Sequence, residues 1–522
     1  MLYHIYPRSF ADSDGDGVGD LPGITSRLDH LAWLGIDAIW LSPTFPSPNA
    51  DWGYDVADYY GVHPELGTLD DLDRLVAEAG RREIRVLLDL VPNHTSDRHP
   101  WFVESRASRQ SPRRSWYVWA DPASDGSPPN NWVSVFGGGP AWTLDDASGQ
   151  YYHHAFLPEQ PDLNWWSDEV RDEFDRILGF WFDRGVAGVR IDVAHKIVKD
   201  RELRDNPPAA PDDPPWIREL GQHERFTANQ PGVHDVFRRW RRLADGYEPR
   251  RLLLGETYVH DLATLAQFYG RDDELHLAFN FLFVNAASLS TELASIVEAT
   301  EATLPNGAWP VWTASNHDAG RFATRWCADH ERQIRCVLLM LLTLRGTPVL
   351  YYGDEIGMAN VDIPADCALD PVALRGDPSR GRDQGRTPMQ WEGGSGAGFT
   401  RSPERAWLPI GDAATRNVAA ERDDAGSTLH FCRDAIVLRR SHPALRRGDY
   451  EPLRAPDGVW AWRRGGELTV ALNLSEREAR IDVAVGRIAL ATRREREGEE
   501  VGEPLLLHPW EGVVVGESRT ES

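Results

Sequence analysis

Three carboxyl side chains and two histidines stand just beyond points where short apolar segments of the sequence end. They are Asp192, Glu256, Asp318, His94 and His317. Carboxyl groups and imidazoles are the usual proton-transfer groups of enzymes, and a carboxylate can also act as a nucleophile. Any one of these residues alone would more often be a helix cap or a satisfied polar group. Together they favour a single pocket that performs acid/base or glycosyl chemistry.

The stretch from Gly188 to Asp192 contains the most informative spacing. Side chains of a strand alternate between its two faces, so Gly188, Arg190 and Asp192 share one face. A guanidinium close to a carboxylate favours the ionised form of that carboxylate. Arg190 is therefore predicted to keep Asp192 charged, as a nucleophile requires, although a purely structural ion pair at a strand end would give the same pattern.

Eight short apolar segments, separated by amphipathic helical stretches, are the elements that must position these groups. The helix after Thr68 illustrates the pattern, because Thr68 and Asp71 form a capping box ahead of apolar residues at helical spacing. Strands that alternate with helices predict an α/β protein with a parallel (β/α)8 TIM barrel, whose catalytic groups lie at the C-terminal ends of the strands. The predicted strands are residues 3–6, 38–41, 86–91, 189–192, 252–255, 277–281, 310–314 and 349–352.

Two regions depart from the barrel pattern and predict further domains. Residues 95–164 are rich in Pro, Gly, Trp and Tyr and are too numerous for an ordinary loop, so they predict an inserted domain B after strand 3. Short strands without helices predict a C-terminal all-β sandwich domain over residues 448–522. The barrel, domain A, is then expected in two parts, 1–94 and 165–447.

The loop from Asp12 to Asp20 places a carboxylate at nearly every second position, with glycines that let the backbone turn. Asp12, Asp14, Asp16 and Asp20 offer the hard oxygen atoms that Ca²⁺ binds. The loop begins like an EF-hand, but Gly23 stands where that motif has its bidentate glutamate. A structural Ca²⁺ site of another kind is predicted, with a merely acidic turn as the alternative.

The composition excludes several classes of partner. A formal net charge of −25 argues against nucleic acid and against an anionic membrane surface, since both attract basic patches. The four cysteines form no CxxC pair or Cys/His cluster, and no apolar run is long enough to span a membrane. With no signal-type segment and no redox motif, the sequence predicts a cytoplasmic protein without an organic cofactor that acts on small neutral molecules.

Six segments of the sequence together resemble a known family. In this order and spacing they resemble the oligo-1,6-glucosidase and α-glucosidase branch of glycoside hydrolase family 13, the α-amylase family. The resemblance implies a (β/α)8 barrel with an inserted domain B and a C-terminal β-domain, and it implies a retaining glycosidase. The segments are residues 89–94 (DLVPNH), 160–164 (QPDLN), 188–195 (GVRIDVAH), 255–258 (GETY), 315–318 (SNHD) and 386–391 (RTPMQW).

The resemblance also implies a role for each matching residue. Asp192 would be the nucleophile, Glu256 the general acid/base and Asp318 the transition-state stabiliser, while Arg190 would position Asp192. The family's calcium ligands would correspond to Asp12, Asp14, Asp16, Asp20 and the carbonyl of Val18. The implied sugar-binding residues are Asp51, Tyr54, His94, Phe156, Arg190, His317 and Arg386.

Closure of the pocket is a further implication of the resemblance. Tyr54 would stack on the non-reducing glucose, and Arg386 would close over this sugar against Asp51. Closure would block the far end of the pocket, so the enzyme would release one glucose at a time. His4 stands where relatives usually carry glutamine, a departure that touches no catalytic position.

The preferred linkage depends mostly on Val193, which follows the nucleophile. In the resembling branch a valine there tends to accompany cleavage of α-1,6 bonds, but one or two methyl groups are worth only about 1–3 kcal/mol and cannot fix specificity. Residues 190–195 and the loop 132–139 look more like general α-glucosidases. The predicted function is thus a retaining exo-α-glucosidase acting on short maltose-type α-glucosides, with some α-1,6 activity.

Three alternatives to this prediction stay open. One is a dedicated oligo-1,6-glucosidase. Another is a transglucosylase or isomerase on the same site, such as a trehalose synthase or a sucrose isomerase, in which a sugar takes the glucosyl group in place of water. A non-catalytic scaffold, like the transporter heavy chains that resemble these glucosidases, is disfavoured because the carboxylate set is complete.

Overall fold

The computed structural model of the chain describes residues 1–136, 139–290, 292–483, 485–502 and 504–517. Gly137 and Gly138, which belong to the loop 132–139 used above, lie outside the described residues. The strands are β1 (Leu2–Ile5), β2 (Ala38–Leu41), β3 (Arg85–Leu90), β4 (Trp119–Ala120), β5 (Trp142–Asp145), β6 (Gln150–His153), β7 (Gly188–Ile191), β8 (Leu252–Gly255), β9 (Leu277–Ala278), β10 (Val311–Thr313), β11 (Thr347–Tyr351), β12 (Tyr450–Pro452), β13 (Val459–Arg464), β14 (Leu468–Asn473), β15 (Ala479–Ile481), β16 (Gly486–Ala491), β17 (Glu500–Val501), β18 (Leu505–Leu507) and β19 (Glu511–Glu517).

Helices alternate with these strands through the first part of the chain. They are α1 (Pro7–Phe10), α2 (Leu21–Ser26), α3 (Leu28–Leu34), α4 (Leu69–Arg81), α5 (Pro100–Ala107), α6 (Asp168–Asp183), α7 (Pro215–Leu220), α8 (Gly232–Asp245), α9 (Leu262–Gln267), α10 (Phe281–Val284), α11 (Glu292–Thr303), α12 (Phe322–Cys327), α13 (Glu331–Thr343), α14 (Pro371–Arg375), α15 (Val418–Asp423), α16 (Thr428–Ser441) and α17 (Pro443–Arg447).

Eight strands pair in the order β10-β11-β1-β2-β3-β7-β8-β9, and all of these pairs are parallel. A single bridge between Phe279 and Val311 joins the two edge strands and closes the barrel. The predicted TIM barrel is therefore confirmed. The sixth predicted strand is shorter than expected because Asn280 caps α10, so the chain becomes helical at Phe281.

The helix after Thr68 forms as its sequence predicts. Thr68 and Asp71 make both hydrogen bonds of a capping box at the start of α4. Leu72, Leu75 and Ala79, at helical spacing, are buried against the barrel. Burying a leucine side chain stabilises a fold by about 1.5–3 kcal/mol, so this face holds the helix in place.

The register of β3, β7 and β8 places the catalytic candidates side by side. Asp89 of β3 pairs with Arg190 of β7, and Arg190 pairs with Leu254 of β8. Asp192 and Glu256 follow directly after the ends of β7 and β8. The strands approach closely at Gly188, where an added Cβ atom would lie 2.4 Å from the carbonyl oxygen of Leu252. Only glycine fits there.

Two smaller β structures flank the barrel. Strands β4, β6 and β5 form a three-stranded antiparallel sheet within the inserted region. The C-terminal strands form a six-stranded antiparallel sheet, β12-β13-β14-β19-β16-β17, and a separate β15-β18 pair, around their own apolar core. The all-β character of the C-terminal region is confirmed, while the residue boundaries of the domains remain predictions. Among the described helices, none is both long and apolar enough to cross a bilayer.

Candidate active site

Arg190 stands at the centre of the site and contacts three carboxylates. Its Nη1 atom lies 2.8 Å from Asp89 Oδ1 and 2.7 Å from Asp192 Oδ1, and its Nη2 atom lies 2.8 Å from Glu256 Oε2. All four side chains are buried. Because guanidinium is planar and rigid, it holds the predicted nucleophile and the predicted acid/base in fixed positions relative to each other.

Titration of this cluster differs from the sequence expectation. The ion pair between Arg190 and Asp192 is present, yet burial raises the pKa of Asp192 well above its usual range, against the opposing effect of Arg190. Burial likewise raises the pKa of Asp89 to about 7. One guanidinium does not offset the burial of Asp89 and Asp192 and the repulsion between neighbouring carboxylates, so these two groups bind a proton more readily than isolated carboxyl groups would.

On the opposite wall of the pocket two guanidiniums meet at one carboxylate. Arg382 Nη1 and Arg386 Nη2 both contact Asp318 Oδ1, at 3.1 and 3.0 Å. The Asp318 side chain faces the pocket and stays 35% exposed. Partial desolvation in the pocket disfavours the charge, but the guanidiniums of Arg382 and Arg386 outweigh this effect and hold the pKa of Asp318 well below its usual range. Asp318 is thus an ionised carboxylate that faces the open pocket.

The sugar-binding prediction for Arg386 needs a correction in its contacts. Arg382, and not Arg386, pairs with Asp51: Arg382 Nη2 lies 2.8 Å from Asp51 Oδ1 and 2.6 Å from Asp370 Oδ1. Arg386 donates to the carbonyl of His317 at 2.8 Å as well as to Asp318. The closure against Asp51 is therefore made by the arginine four positions earlier in the same irregular region.

Tyr54 and His317 form one packed unit on the pocket floor. Their rings lie parallel, with centroids 5.4 Å apart and an interplanar angle of 2°. The Tyr54 hydroxyl lies 2.5 Å from His317 Nε2 and 3.2 Å from Asp89 Oδ2. Burial lowers the pKa of His317 to about 3, so this imidazole is neutral at physiological pH. Parallel rings joined by so short a hydrogen bond lie side by side, so His317 fixes the edge of Tyr54 and does not cover either face of its ring.

His94 connects the inserted region to the barrel. Its Nε2 atom lies 3.0 Å from the Tyr54 carbonyl and 3.1 Å from Gln160 Nε2, and its ring meets Phe156 edge-on at 5.3 Å. Burial lowers the pKa of His94 to about 4. Gln160 Nε2 also lies 3.4 Å from Asp51 Oδ2. The structure thus brings every predicted catalytic and sugar-binding residue into one pocket at the C-terminal mouth of the barrel.

Comparison with known proteins agrees with this geometry. Residues 4–448 of this chain match the catalytic domain of the α-amylase family. The chain belongs to the α-amylase family. It is similar to a probable α-glucosidase of Rhizobium meliloti, with 39% identity over 94% of this chain and 91% of that protein. It is also similar to an oligo-1,6-glucosidase of Heyndrickxia coagulans, with 36% identity over 98% of each chain.

A solved structure extends the comparison to a transfer enzyme of the same fold. The α-glucosyl transfer enzyme XgtA superimposes with a TM-score of 0.92 and 38% sequence identity, covering 99% of this chain and 98% of that one. Similar proteins therefore include both glucosidases and a glucosyl transfer enzyme. As a member of the α-amylase family, this protein is a glycoside hydrolase.

Two residues that contact the predicted catalytic and sugar-binding groups were not selected from the sequence. Asp89 carried a signal, because it is the one charged residue within the apolar strand 86–91. Arg382 carried none, since it lies in the irregular region between β11 and α15, where no periodicity orients side chains.

His4, the departure from relatives, stacks on Trp40 at 3.6 Å, and Trp40 Nε1 donates to Asp89 at 3.2 Å. His4 thus lies in the layer below the catalytic cluster.

Lys199 joins the inserted region to the loop after β7. Its Nζ atom lies 2.6 Å from Asp162 Oδ2 and contacts Asn93 Oδ1. Asn93 Nδ2 in turn lies 3.0 Å from His94 Nδ1. Lys196, the other lysine of the chain, is buried nearby against Glu224. These contacts fix the orientation of His94 in the pocket.

Exposed aromatic rings extend from Glu256 toward the outer rim. Tyr258, two residues after Glu256, is 43% exposed, and its ring meets His260 edge-on at 5.1 Å. His260 stacks on Trp216 of α7 at 4.0 Å and 19°. Contiguous exposed apolar surface beside a polar pocket is typical of a ligand-binding groove. This row gives the pocket an apolar outer edge on the side of Glu256.

The acidic loop after β1 brings three of the predicted metal ligands together. Carboxylate oxygens of Asp12, Asp14 and Asp20 lie within 4.8 Å of one another. The carboxylate of Asp16, which is not in this group, accepts a hydrogen bond from the Val18 amide at 2.8 Å. These hard oxygen ligands fit a calcium ion. The Asp12 carboxylate also accepts hydrogen bonds from the backbone amides of Gly15 and Gly17, which hold the loop in shape.

Proposed function

We propose that this protein is a retaining, exo-acting α-glucosidase that releases α-D-glucose from the non-reducing end of short α-glucosides. The observation that carries the proposal is the shared contact of Asp192 and Glu256 with one guanidinium. Retaining enzymes need their two carboxyl groups close together, without room for a water between them and the sugar. Two carboxylates bound to nitrogens of a single guanidinium satisfy that requirement.

The mechanism follows from the two walls of the pocket. Asp192 attacks the anomeric carbon while Glu256 gives its proton to the leaving glycosidic oxygen. Asp318, ionised and facing the pocket, stabilises the positive charge that develops on the sugar ring. Glu256 then takes a proton from the incoming water, whose oxygen bonds to the anomeric carbon as the bond to Asp192 breaks. The product keeps the α configuration.

Exo action is supported by the contacts behind the sugar site. Arg382 links Asp51 to Asp370 and Asp318, so side chains from separate loops close one end of the pocket. Arg382 also lies over the ring of Phe136 in the inserted region, 5.0 Å from its centroid. A substrate chain has no exit past this contact, which limits cleavage to the terminal glucose.

Stereochemistry at the new anomeric centre tests the mechanism. Proton NMR during early turnover should show α-glucose as the first product, with β-glucose growing in only by mutarotation. First-formed β-glucose would contradict a retaining mechanism.

Transfer of the glucosyl group to a sugar is a second candidate function on the same site. The exposed row of Tyr258, His260 and Trp216 favours it, because an acceptor can bind there while the glucosyl group is attached to Asp192. Free glucose and new disaccharides should be measured together at high substrate concentration. Predominance of disaccharide would identify a transglucosylase or isomerase.

The linkage preference is proposed from Val193, which borders the leaving-group side of Asp192. We propose cleavage of maltose-type bonds with measurable α-1,6 activity, and a dedicated oligo-1,6-glucosidase is the alternative. Comparison of kcat/KM for maltose, isomaltose, sucrose and trehalose tests this, in the wild type and in Val193→Ala. A preference for isomaltose above about a hundredfold would exceed what one or two methyl groups provide, and would favour the alternative.

We also propose that the acidic loop holds a structural Ca²⁺ ion through Asp12, Asp14, Asp16, Asp20 and the Val18 carbonyl. When bound, the ion stabilises the loop by electrostatic attraction, and no catalytic step involves it. Chelation should lower the melting temperature and leave early-time turnover of the folded protein intact. Loss of turnover at an unchanged melting temperature would contradict a structural role.

We also propose a cytoplasmic location. All four cysteines lie in the described part of the chain and none is in a disulfide, as expected in a reducing compartment. Fractionation of the producing cells, with enzyme activity as the readout, tests this assignment.

A further inference from the structure

Val193 adopts a backbone conformation that is rare for its residue type. Its φ angle is 35°, in the left-handed region. Among the described residues with positive φ, Val193 is the only one with a β-branched side chain. Such a residue is a genuine outlier there, because its branched Cβ crowds the backbone. Strain of this kind persists only where surrounding contacts enforce it, and it clusters at functional sites.

Neighbouring main-chain contacts enforce the conformation of this turn. The amide of Asp192 donates to Leu90 at 2.8 Å on one side of Val193, and the amide of Ala194 donates to the carbonyl of Glu256 at 2.9 Å on the other. The Val193 carbonyl accepts from Lys196 at 2.7 Å. The strained residue is thus tied to the ends of both adjacent strands.

The amide that this turn presents is directed at the acid/base. Val193 N donates to Glu256 Oε2 at 2.8 Å, and Arg190 Nη2 lies 2.8 Å from the same oxygen. A carboxyl oxygen that faces two N–H donors cannot also carry a proton without pointing that proton at a donor. The other oxygen, Oε1, receives neither contact.

We propose that the main-chain N–H of Val193 is a positioning group for acid/base catalysis, which keeps the catalytic proton on Glu256 Oε1. This inference rests on the proposed function. In the first half-reaction the Oε1 proton passes to the glycosidic oxygen as the bond from that oxygen to the anomeric carbon breaks and Asp192 bonds to the carbon. In the second, Oε1 takes a proton from the water that displaces Asp192.

The strain at Val193 then has a functional explanation. The tight turn aims two successive amides at one residue, with the Val193 N–H on the carboxylate of Glu256 and the Ala194 N–H on its carbonyl. The first contact orients the side chain and the second fixes the backbone. The residue that borders the leaving group therefore also orients the acid that protonates it.

Removal of the single N–H tests the inference. Incorporation of 2-hydroxy-3-methylbutanoic acid at position 193 replaces the amide by an ester and keeps the side chain. The substrates are two aryl α-glucosides of similar size, 4-nitrophenyl with a good leaving group and 4-methylphenyl with a poor one. Glu256 becomes charged as it gives up its proton, and a hydrogen bond to a charged group is worth roughly ten- to a hundredfold. The value of kcat/KM for the 4-methylphenyl substrate should therefore fall by about that factor. The 4-nitrophenyl substrate, which needs little protonation, should change far less.

A matched control is available one residue later. Lactic acid in place of Ala194 removes a neighbouring N–H that contacts the Glu256 carbonyl and not its carboxylate, so any loss should be equal for the two substrates. In a Glu256→Gln background, the ester at position 193 should add no further selective loss, because the two changes act on one proton transfer.

Several outcomes would overturn the inference. One is an equal loss on both substrates from the ester at position 193, and another is a selective loss that persists in full in the Glu256→Gln background. If the ester-containing protein does not fold, Val193→Gly is the second variant. Glycine adopts this φ without strain and leaves the N–H less firmly held, so a smaller loss selective for 4-methylphenyl is expected, and an unselective effect contradicts the inference.

Failure of the proposed function has a different signature. If the wild-type protein hydrolyses neither aryl glucoside, the proposed function itself is wrong. If Glu256→Gln shows no selectivity for the leaving group, Glu256 is not the acid/base and the proposed mechanism is wrong. If Glu256→Gln loses more activity on the 4-methylphenyl substrate than on the 4-nitrophenyl substrate, but the ester at position 193 lowers both equally, only the role of Val193 is overturned.

Discussion

The two walls of the pocket use the same residue types with opposite electrostatic results. On one wall a single guanidinium, Arg190, serves Asp89, Asp192 and Glu256, and the pKa values of Asp89 and Asp192 rise. On the other wall two guanidiniums meet at one oxygen of Asp318, and its pKa falls well below the usual range. The number of guanidiniums in contact, together with access to the pocket, thus distinguishes Asp318 from Asp192. Asp51, which Arg382 also contacts, is buried, and its pKa is raised by that burial.

Asp192→Asn should have the largest effect on activity. It should lower kcat on 4-nitrophenyl α-glucoside by about 10⁴-fold or more, as loss of a nucleophile does in other enzymes. Stability should stay equal or rise, because one of three mutually repelling carboxylates around Arg190 becomes neutral. Steady-state kinetics and thermal melting measure the two effects. A clear fall in melting temperature would show that repulsion among the carboxylates around Arg190 does not destabilise the fold.

Asp318→Asn should change stability in the opposite direction. The two guanidiniums would lose the carboxylate at which they meet, which leaves like charges close together. The melting temperature should therefore fall, and kcat should drop by about 10²–10³-fold, the usual effect of removing a group that stabilises transition-state charge. If both Asn variants shift melting in the same direction, the contrast between the walls is wrong.

Arg382→Lys should weaken substrate binding more than it slows chemistry. Arg382 contacts Asp51, Asp318 and Asp370 at once, and an ammonium cannot reproduce that planar fork. KM should rise by about ten- to a hundredfold, since a hydrogen bond to a charged group is worth roughly that much, with a smaller change in kcat. Arg375→Lys, at the half-exposed pair with Glu159, is the control and should be nearly silent.

Acid should destabilise the fold through its neutral histidines. The pKa values of His94 and His317 are lowered to about 4 and about 3, whereas an unfolded histidine titrates near 6.5. Between these values the unfolded chain binds more protons, so stability falls as the pH falls below about 6.5. Each histidine contributes a slope of roughly 1.4 kcal/mol per pH unit. Melting curves from pH 7 to 4 should show a shallower slope in His94→Gln, and an unchanged slope would contradict this account.

The sequence predicted most of the fold because strands and helices have local signatures. Seven of the eight predicted barrel strands differ from the observed ones by at most two residues at either end, since each is an apolar run bounded by polar or turn residues. The remaining one, β9, ends early because Asn280 begins a helix, and a single cap within an apolar run is a weak signal. Polar residues at strand ends likewise identified Asp192, Glu256 and Asp318 without tertiary information.

What the sequence did not predict depends on long-range geometry. The partner of Asp51 is Arg382, which is 331 positions away in a region without periodic structure. The upward pKa shift of Asp192 depends on how many carboxylates surround Arg190, which a spacing of two residues cannot reveal. The left-handed turn at Val193 is unexpected for valine and follows only from the contacts that surround it.

The scarcity of lysine gives this molecule an unusual chemical surface. Its two lysines, Lys196 and Lys199, are only 5% and 4% exposed and are both held in ion pairs beside the active site. An amine-reactive label therefore finds no accessible lysine side chain on the folded protein. The rate at which such a label reacts with Lys196 and Lys199 therefore measures how often the segment that joins the inserted region to the barrel opens.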